Sequence, residues 1–151
     1  MPTGLPINLE KTFVNEFGKT YSKVTLHAAQ RALVMEWYGY TTKHQIEVVA
    51  IWVESLIQQI PFENLLNDCS SLISVWDDSI DWFSQVWLLR MRRLGVSSFI
   101  HIAKPNSFGE RIGRYLWLRK HPEMEFLFFS TKQEISAWLK LHDKEDNISV
   151  D

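Results

Sequence analysis

The chain has 151 residues, of which 16 are lysine or arginine and 18 are aspartate or glutamate, so its formal charge at pH 7 is -2. This length suits one domain, and the near balance of charge, without long runs of either sign, argues against a nucleic-acid partner. The single cysteine, Cys69, excludes an internal disulfide and a cluster of zinc-binding thiolates.

The start of the chain carries no secretion pattern. Residues 1–10 contain two prolines, a glycine and a glutamate, without a basic region followed by an apolar stretch. The longest apolar run, residues 48–53, is far shorter than the ~20 residues that span a bilayer. We therefore expect a cytoplasmic protein without membrane insertion. It should form one domain over residues 1–151, with residues 1–10 and 142–151 poorly ordered.

The first part of the chain predicts three strands. Residues 12–17 and 21–27 alternate between polar and apolar side chains on either side of Gly18-Lys19-Thr20, which is typical of a β-hairpin. Residues 31–38 alternate in the same way and end at Gly39. We expect an antiparallel meander.

A helix follows from Thr42. Its apolar residues recur at helical spacing from Ile46 to Ile60, and Pro61 ends it because proline cannot continue the hydrogen-bond pattern. Thr42 and Gln45 form a capping-box pattern at its start.

The second half of the chain alternates strands with helices. Strand–helix–strand successions of this kind predict right-handed crossovers that add parallel strands to one sheet. Ser130 with Gln133, and Thr131 with Glu134, are competing capping boxes for the last helix. The expected elements are a strand at 62–67, its exit loop at 68–71, a helix at 78–94 closed by Gly95, a strand at 96–103, a helix marked by residues 108–116, a strand at 125–129, and a helix marked by residues 135–139.

The predicted fold class is therefore α/β. We expect a mixed sheet of about six strands, with an antiparallel N-terminal meander followed by parallel βαβ crossovers, and four helices.

Short segments spread over residues 12–140 carry a resemblance to a known family. They are Trp37-Tyr38-Gly39-Tyr40-Thr41, Asn67-Asp68, Ile73-Ser74 with Trp82, Gly95 ahead of Ile102-Ala103-Lys104-Pro105, and Phe129-Ser130 ahead of Ala137-Trp138-Leu139. In this order they resemble the STAS-like family, named for sulfate transporters and anti-sigma-factor antagonists, and in particular a bacterial branch of uncharacterised single-domain proteins. The resemblance implies a STAS-like fold and regulation through protein contacts rather than turnover.

The same resemblance implies a phosphorylation site at Ser79. In phospho-regulated members a serine or threonine that follows an aspartate at a helix start is the switch, and Asp78-Ser79 is the matching pair here. The expected Ser-Gly continuation is replaced by Ile80-Asp81. A phosphate would suit a helix N-terminus, whereas Asp77 and its acidic neighbours would repel it. A plain helix-capping role for Ser79 is the alternative.

Catalytic chemistry has one candidate pair. Cys69 and His101 lie near the ends of two strands, where ligands collect in open α/β sheets, and they could form a nucleophilic pair. No third orienting group has a sequence signature. The favoured interpretation is therefore that Cys69 is a buried apolar cysteine and His101 a histidine on a face of the sheet. Gly109 and Gly113 have no phosphate-binding pattern around them and indicate close helix packing instead. We expect no catalytic residues, no cofactor and no metal site.

Aromatic and basic residues provide the binding hypotheses. Trp76 and Trp117 are expected at the surface, where they would form an interaction surface with Arg111 and Arg114. A sheet face with Ala32, Val34 and Ile100 would need cover, which a homodimer could supply. An alternative is an apolar pocket for a small molecule or lipid, lined by Trp82, Trp87, Phe99 and Phe108.

The sequence thus favours a non-enzymatic, self-associating protein-interaction module. Its alternatives are the small-molecule or lipid-binding domain and a thiol or hydrolase enzyme built on Cys69 and His101.

Overall fold

A mixed sheet of six strands forms the centre of the structure, a computed structural model that describes residues 8–143. The strands lie side by side in chain order. The first three pair antiparallel, and the last three are added parallel to the third. The strands are β1 (Asn8–Val14), β2 (Thr20–His27), β3 (Ala32–Gly39), β4 (Asn64–Leu72), β5 (Ser98–Ile102) and β6 (Glu125–Phe129).

Helical segments connect the parallel strands. Between β4 and β5 the chain forms a π-helical segment, Trp82–Trp87, which continues directly into α2. A regular helix was expected there from residue 78. The α-helices are α1 (Lys43–Gln59), α2 (Leu88–Arg93), α3 (Phe108–Leu118) and α4 (Lys132–Leu141). The predicted fold class, with its antiparallel start, parallel crossovers, six strands and four helices, is confirmed.

Two helix starts carry the predicted capping boxes. Oγ1 of Thr42 accepts from the backbone N–H of Gln45, and the Gln45 side chain accepts from the N–H of Thr42. At α4, Thr131 and Glu134 form the box rather than Ser130 and its partner. Each box satisfies backbone donors that have no partner within the helix.

The two faces of the sheet are covered unequally. Helices α1, α2 and α3 pack on one face and enclose the main core, which contains Leu33, Leu65 and Phe99. Of the helices within residues 8–143, α4 is the one on the other face, where Ile135 and Trp138 pack on the sheet. The expectation that a second copy covers this face is therefore wrong, because α4 already buries its residues Ala32, Val34, Leu66, Ile100 and Ile102.

Strand β4 is longer than the sequence predicts. Residues 68–71, expected as an exit loop, continue the strand, because β3 pairs with them as far as Gly39 opposite Leu72. The polar side chain of Asp68 interrupts the apolar pattern of the predicted strand. In the structure, its hydrogen bonds allow this side chain to be buried.

Some of the terminal residues that the sequence predicts to be poorly ordered form defined contacts in the structure. Residues 8–10 belong to β1 and pair with β2. The ring of His142 stacks on Trp138 with centroids 3.8 Å apart. The rest of the expectation, for residues 1–7 and 144–151, lies outside the described residues.

Candidate functional site

A chain of buried polar side chains crosses the sheet from β3 to α3. Nε1 of Trp37 donates to Oδ1 of Asn67 at 2.8 Å, and Nδ2 of Asn67 lies 3.4 Å from Nδ1 of His101. Nε2 of His101 lies 2.8 Å from the carbonyl oxygen of Gly109. Because a carbonyl only accepts, Nε2 carries the proton and Nδ1 accepts from the amide of Asn67. The three side chains therefore tie β3, β4, β5 and α3 together.

Glycines let α3 approach these residues closely. A Cβ on Gly109 would lie 2.7 Å from the backbone oxygen of Cys69, and a Cβ on Gly113 would lie 2.5 Å from Cδ2 of His101. Both distances are far below van der Waals contact, so a larger residue at either site would force the helix or its neighbours to shift. This geometry bears out the close packing that the sequence predicts.

The candidate pair Cys69 and His101 has the wrong electrostatics for a nucleophile. Both side chains are buried. Burial raises the pKa of the Cys69 thiol well above its usual value, with the charge of Asp68 adding to the effect. Burial also lowers the pKa of His101 to about 4. At neutral pH the pair is a neutral thiol and a neutral imidazole, and Asn67 contacts both of them.

A second polar cluster lies on the opposite face, at the start of α4. Nζ of Lys132 is hydrogen-bonded to Oδ2 of Asp68 and lies 3.3 Å from Oε1 of Glu36. Oδ1 of Asp68 accepts from the backbone N–H and the hydroxyl of Ser70, at 3.0 and 2.6 Å. Asp68 is 1% exposed. One lysine thus fastens α4 to two strands of the sheet.

Tyr38 and His27 extend this cluster. The hydroxyl of Tyr38 donates to Oε1 of Glu36 at 2.9 Å, and burial together with this carboxylate raises the pKa of Tyr38. Burial lowers the pKa of His27. A cavity of about 170 Å³ lies between His27, Glu36, Asp68 and Lys132. The sequence reasoning missed this cluster; the feature that could have indicated it is the one acidic residue in each of two neighbouring strands, Glu36 in β3 and Asp68 in β4.

An exposed aromatic surface lies where α3 meets β6, the last strand of the sheet. Trp117 is 41% exposed, Leu118 76% and Phe128 48%. The Trp117 ring lies 5.8 Å from that of Phe128 and 5.6 Å from that of Phe126. We call Trp117, Leu118 and Phe128 the edge patch. With Arg114 they surround a cavity of about 300 Å³.

The structure separates the residues expected to form one interaction surface. Trp117 is exposed as expected and lies beside Arg114, whose guanidinium is paired with Glu110 at 3.2 Å. Arg111 is exposed but lines a different groove, beside Phe108. Leu118 and Phe128 were not singled out from the sequence. The sequence features that could have identified them are the position of Leu118, an apolar residue at the end of a basic helix, and the position of Phe128 in an apolar last strand.

Trp76 is not a surface residue. It is 1% exposed, and its Nε1 donates to Oγ1 of Thr41 at 3.0 Å. Its ring lies edge-on to Trp37, with centroids 5.1 Å apart. The expectation of an exposed ring is wrong because Thr41, distant in sequence, supplies the acceptor that an indole N–H needs in a core.

Ser79 is buried in the turn ahead of the π-helical segment. It is 1% exposed, and its hydroxyl donates to Oδ1 of Asp78 at 3.3 Å rather than capping a helix. A kinase would reach this oxygen only if the turn opened. Phosphorylation of Ser79 stays a prediction from the family resemblance.

The four rings expected to line an apolar pocket do not enclose one. Trp87 and Phe99 fill the main core, where each packs against Phe83. Trp82 is partly buried at the margin of this core. Phe108 is 49% exposed and lines a groove of about 460 Å³ at the carboxyl ends of the parallel strands.

Two features are absent from residues 8–143. In this range no group of three or more histidine, cysteine, aspartate or glutamate side chains could hold a metal ion. None of the helices there is long and apolar enough to cross a bilayer.

Similarity to known proteins is found among solved structures. No protein-family model matches the chain, and no curated protein matches it. The chain is similar to an uncharacterised protein from Shewanella loihica PV-4, described as a member of the DUF3478 family with a SpoIIAA-like fold. The TM-score is 0.45 and the identity 20%, over 92% of this chain and 98% of that chain.

Proposed function

We propose that this protein is a non-enzymatic, self-associating interaction module and that the edge patch is its contact surface. The observation that carries the proposal is the exposure of Trp117, Leu118 and Phe128 around one cavity. Aromatic rings that lie together at the surface are typical of binding surfaces, where tryptophan is among the residues that contribute most binding energy.

The chemistry of the buried polar side chains supports a role without catalysis. The candidate nucleophilic pair, Cys69 and His101, is buried and neutral, and hydrogen bonds hold both side chains inside the core. A nucleophile must be activated and must reach its substrate. The sequence resemblance to the STAS-like family, which implies regulation through protein contacts, points the same way.

The mass of the purified protein in solution, measured over a dilution series by light scattering or analytical ultracentrifugation, tests this proposal. We expect a dimer at high concentration that dissociates on dilution. The variant Leu118→Ser removes apolar surface from the edge patch without touching the core, so it should weaken the dimer at least severalfold.

Ile51→Ser is the matched control. Ile51 is 55% exposed on α1, on the main-core side but away from β6. Its replacement removes a similar exposed aliphatic side chain and should leave the dimer unchanged. A protein that remains monomeric at every concentration would contradict self-association, and equal weakening by both variants would contradict the edge patch as the contact.

A further inference from the structure

The outer edge of β6 carries backbone groups that point away from the sheet. The N–H of Glu125 donates to the oxygen of Ser97 at 2.9 Å, and the oxygen of Phe129 accepts from the N–H of Ala103 at 3.1 Å. These two residues therefore direct their backbone groups inward, toward β5. Backbone direction alternates along a strand, so Leu127 also points inward, whereas Phe126 and Phe128 point their N–H and C=O groups outward.

The two edges of the sheet differ in how they are protected. Strand β1, at the other edge, carries Glu10 and Lys11, and Glu10 is paired with Lys23 on β2 at 3.4 Å. Charges of this kind discourage a sheet from pairing with another strand. The sequence of β6 is Glu-Phe-Leu-Phe-Phe, with its one charge at the first position. Its Leu127 and Phe128 are 36% and 48% exposed. Among residues 8–143, no strand pairs with the outer edge of β6, so this edge can accept a further strand.

We propose that β6 pairs antiparallel with β6 of a second copy of this chain, around a two-fold axis at Leu127. The proposal rests on the proposed self-association and names its geometry. In this register Phe126 of one copy lies opposite Phe128 of the other. Because these are the residues with outward backbone groups, the two copies form four hydrogen bonds, and every outward group of Phe126 and Phe128 is satisfied.

Charge and side chains suit this register. Glu125 lies opposite Phe129 of the second copy, so the two glutamates do not face each other. Phe126 and Phe128 lie on the face of the sheet that Trp117 covers, so the edge patches of both copies come to the same side of the joined sheet. Aromatic pairs across antiparallel strands contribute favourably to sheet stability.

The surface available is modest. From their fractional exposure, Trp117, Leu118, Leu127 and Phe128 leave the area of about two whole side chains uncovered. At roughly 150–250 Å² for a large side chain, complete cover of these residues in two copies would bury on the order of 800 Å² of side-chain surface, besides the strand backbone. This lies close to the lower limit of about 1,000 Å² for a specific interface, so the dimer should dissociate readily on dilution.

Amide hydrogen exchange, followed by NMR on the full chain over a dilution series, tests the pairing. The amides of Phe126 and Phe128 should be protected in the dimer and exchange freely once it dissociates. The amides of Glu125 and Leu127 bond to β5 and should stay protected at all concentrations, which makes them internal controls. Fast exchange at Phe126 and Phe128 in a protein that is dimeric overturns the pairing but leaves self-association intact.

Two substitutions of Phe128 distinguish the contribution of its backbone N–H to dimerisation from that of its side chain. Phe128→Ala and Phe128→Pro both remove the ring, but only proline also removes the outward N–H, and proline is tolerated on a free strand edge. Since the position occurs twice in the dimer, Phe128→Pro should dimerise about tenfold more weakly than Phe128→Ala. Equal dissociation constants would overturn the proposal. If the proline variant fails to fold, the wild-type amide protection decides.

An extended peptide from another protein would use the same backbone groups. In that case the amides of Phe126 and Phe128 would be unprotected in the purified protein at every concentration, which overturns the proposal of a second copy.

Discussion

Oδ1 of Asn67 accepts a hydrogen bond from the indole Nε1 of Trp37 at 2.8 Å, although the two residues are 30 positions apart. Both side chains have no exposed surface. The amide of Asn67 also donates to His101, so one side chain satisfies buried groups on β3 and β5. Since a buried polar group without a partner costs about 1–3 kcal/mol, this amide should be important for stability.

Replacing Asn67 with leucine should therefore destabilise the protein. The variant Asn67→Leu leaves the N–H of Trp37 and Nδ1 of His101 without partners, and we expect the free energy of unfolding to fall by about 2–4 kcal/mol in a urea titration. Asn64→Leu, on the same strand but partly exposed, is the control and should cost less than half as much, because water can replace its bonds. Equal losses would show that Asn67 has no special role.

The stability of the protein should depend on the protonation of His101. The pKa of this side chain is about 4 in the folded protein and near its ordinary 6.5 when the chain unfolds. Between these values the unfolded state binds more protons, so stability falls as pH drops from 6.5 to 4, by up to about 3 kcal/mol, and this contribution is constant above 6.5. NMR titration of the imidazole C–H signals measures the folded value directly. A midpoint near 6.5 would contradict a buried, neutral His101.

The pair formed by Lys132 and Asp68 should contribute to the attachment of α4. Lys132→Met leaves the buried carboxylate of Asp68 with only its bonds to Ser70, and we expect a loss of about 1–3 kcal/mol, because Lys132 itself is half exposed. Lys104→Met removes an exposed lysine and is the control, with an expected change below about 0.5 kcal/mol. In Asp68→Asn the further effect of Lys132→Met should shrink; purely additive effects would show that the two groups are not coupled.

In the variant Gly113→Ala, helix propensity and core packing change the stability in opposite directions. Alanine in a helix interior is favoured over glycine by about 1 kcal/mol. Its Cβ, however, would lie 2.5 Å from Cδ2 of His101 and 3.0 Å from Cε1 of Phe128. We expect overpacking to prevail, so Gly113→Ala should lower the thermal midpoint. A raised midpoint would mean that the two rings yield without cost.

The thiol of Cys69 should be unreactive in the folded protein. It is buried, and its pKa is well above the usual range. Labelling by a thiol reagent at neutral pH should therefore be slower by orders of magnitude than in urea, at a rate set by unfolding. Rapid labelling under native conditions would reopen the hypothesis of a thiol enzyme.

The periodicity of the chain was sufficient to predict most of the architecture. The helical spacing from Ile46 onward, the capping box at Thr42 and the glycine at position 95 are local features, and each predicted an element that the structure contains. Strand–helix–strand order was then enough to predict parallel crossovers, because nearly all such connections have one hand.

The candidate site could be predicted only in part. The sequence placed Cys69 and His101 near each other, but it could not show that Asn67 lies between them. It also assigned Trp76 to the surface, since nothing near this residue in the chain indicates that Thr41 supplies its hydrogen-bond acceptor. The contacts of Asn67 with His101 and of Thr41 with Trp76 join residues 34 and 35 positions apart, so they leave no local pattern in the sequence.

The order and type of the elements were determined by the sequence itself, because hydrophobic spacing reports which face of a segment is buried. Only the tertiary structure decided what each buried or exposed face meets. It assigned α4 to the sheet face that otherwise required a partner, and within residues 8–143 it placed no strand against the edge of β6 beside Trp117. The reason is physical: burial and pairing are set by distances between segments, and a linear pattern contains no such distances.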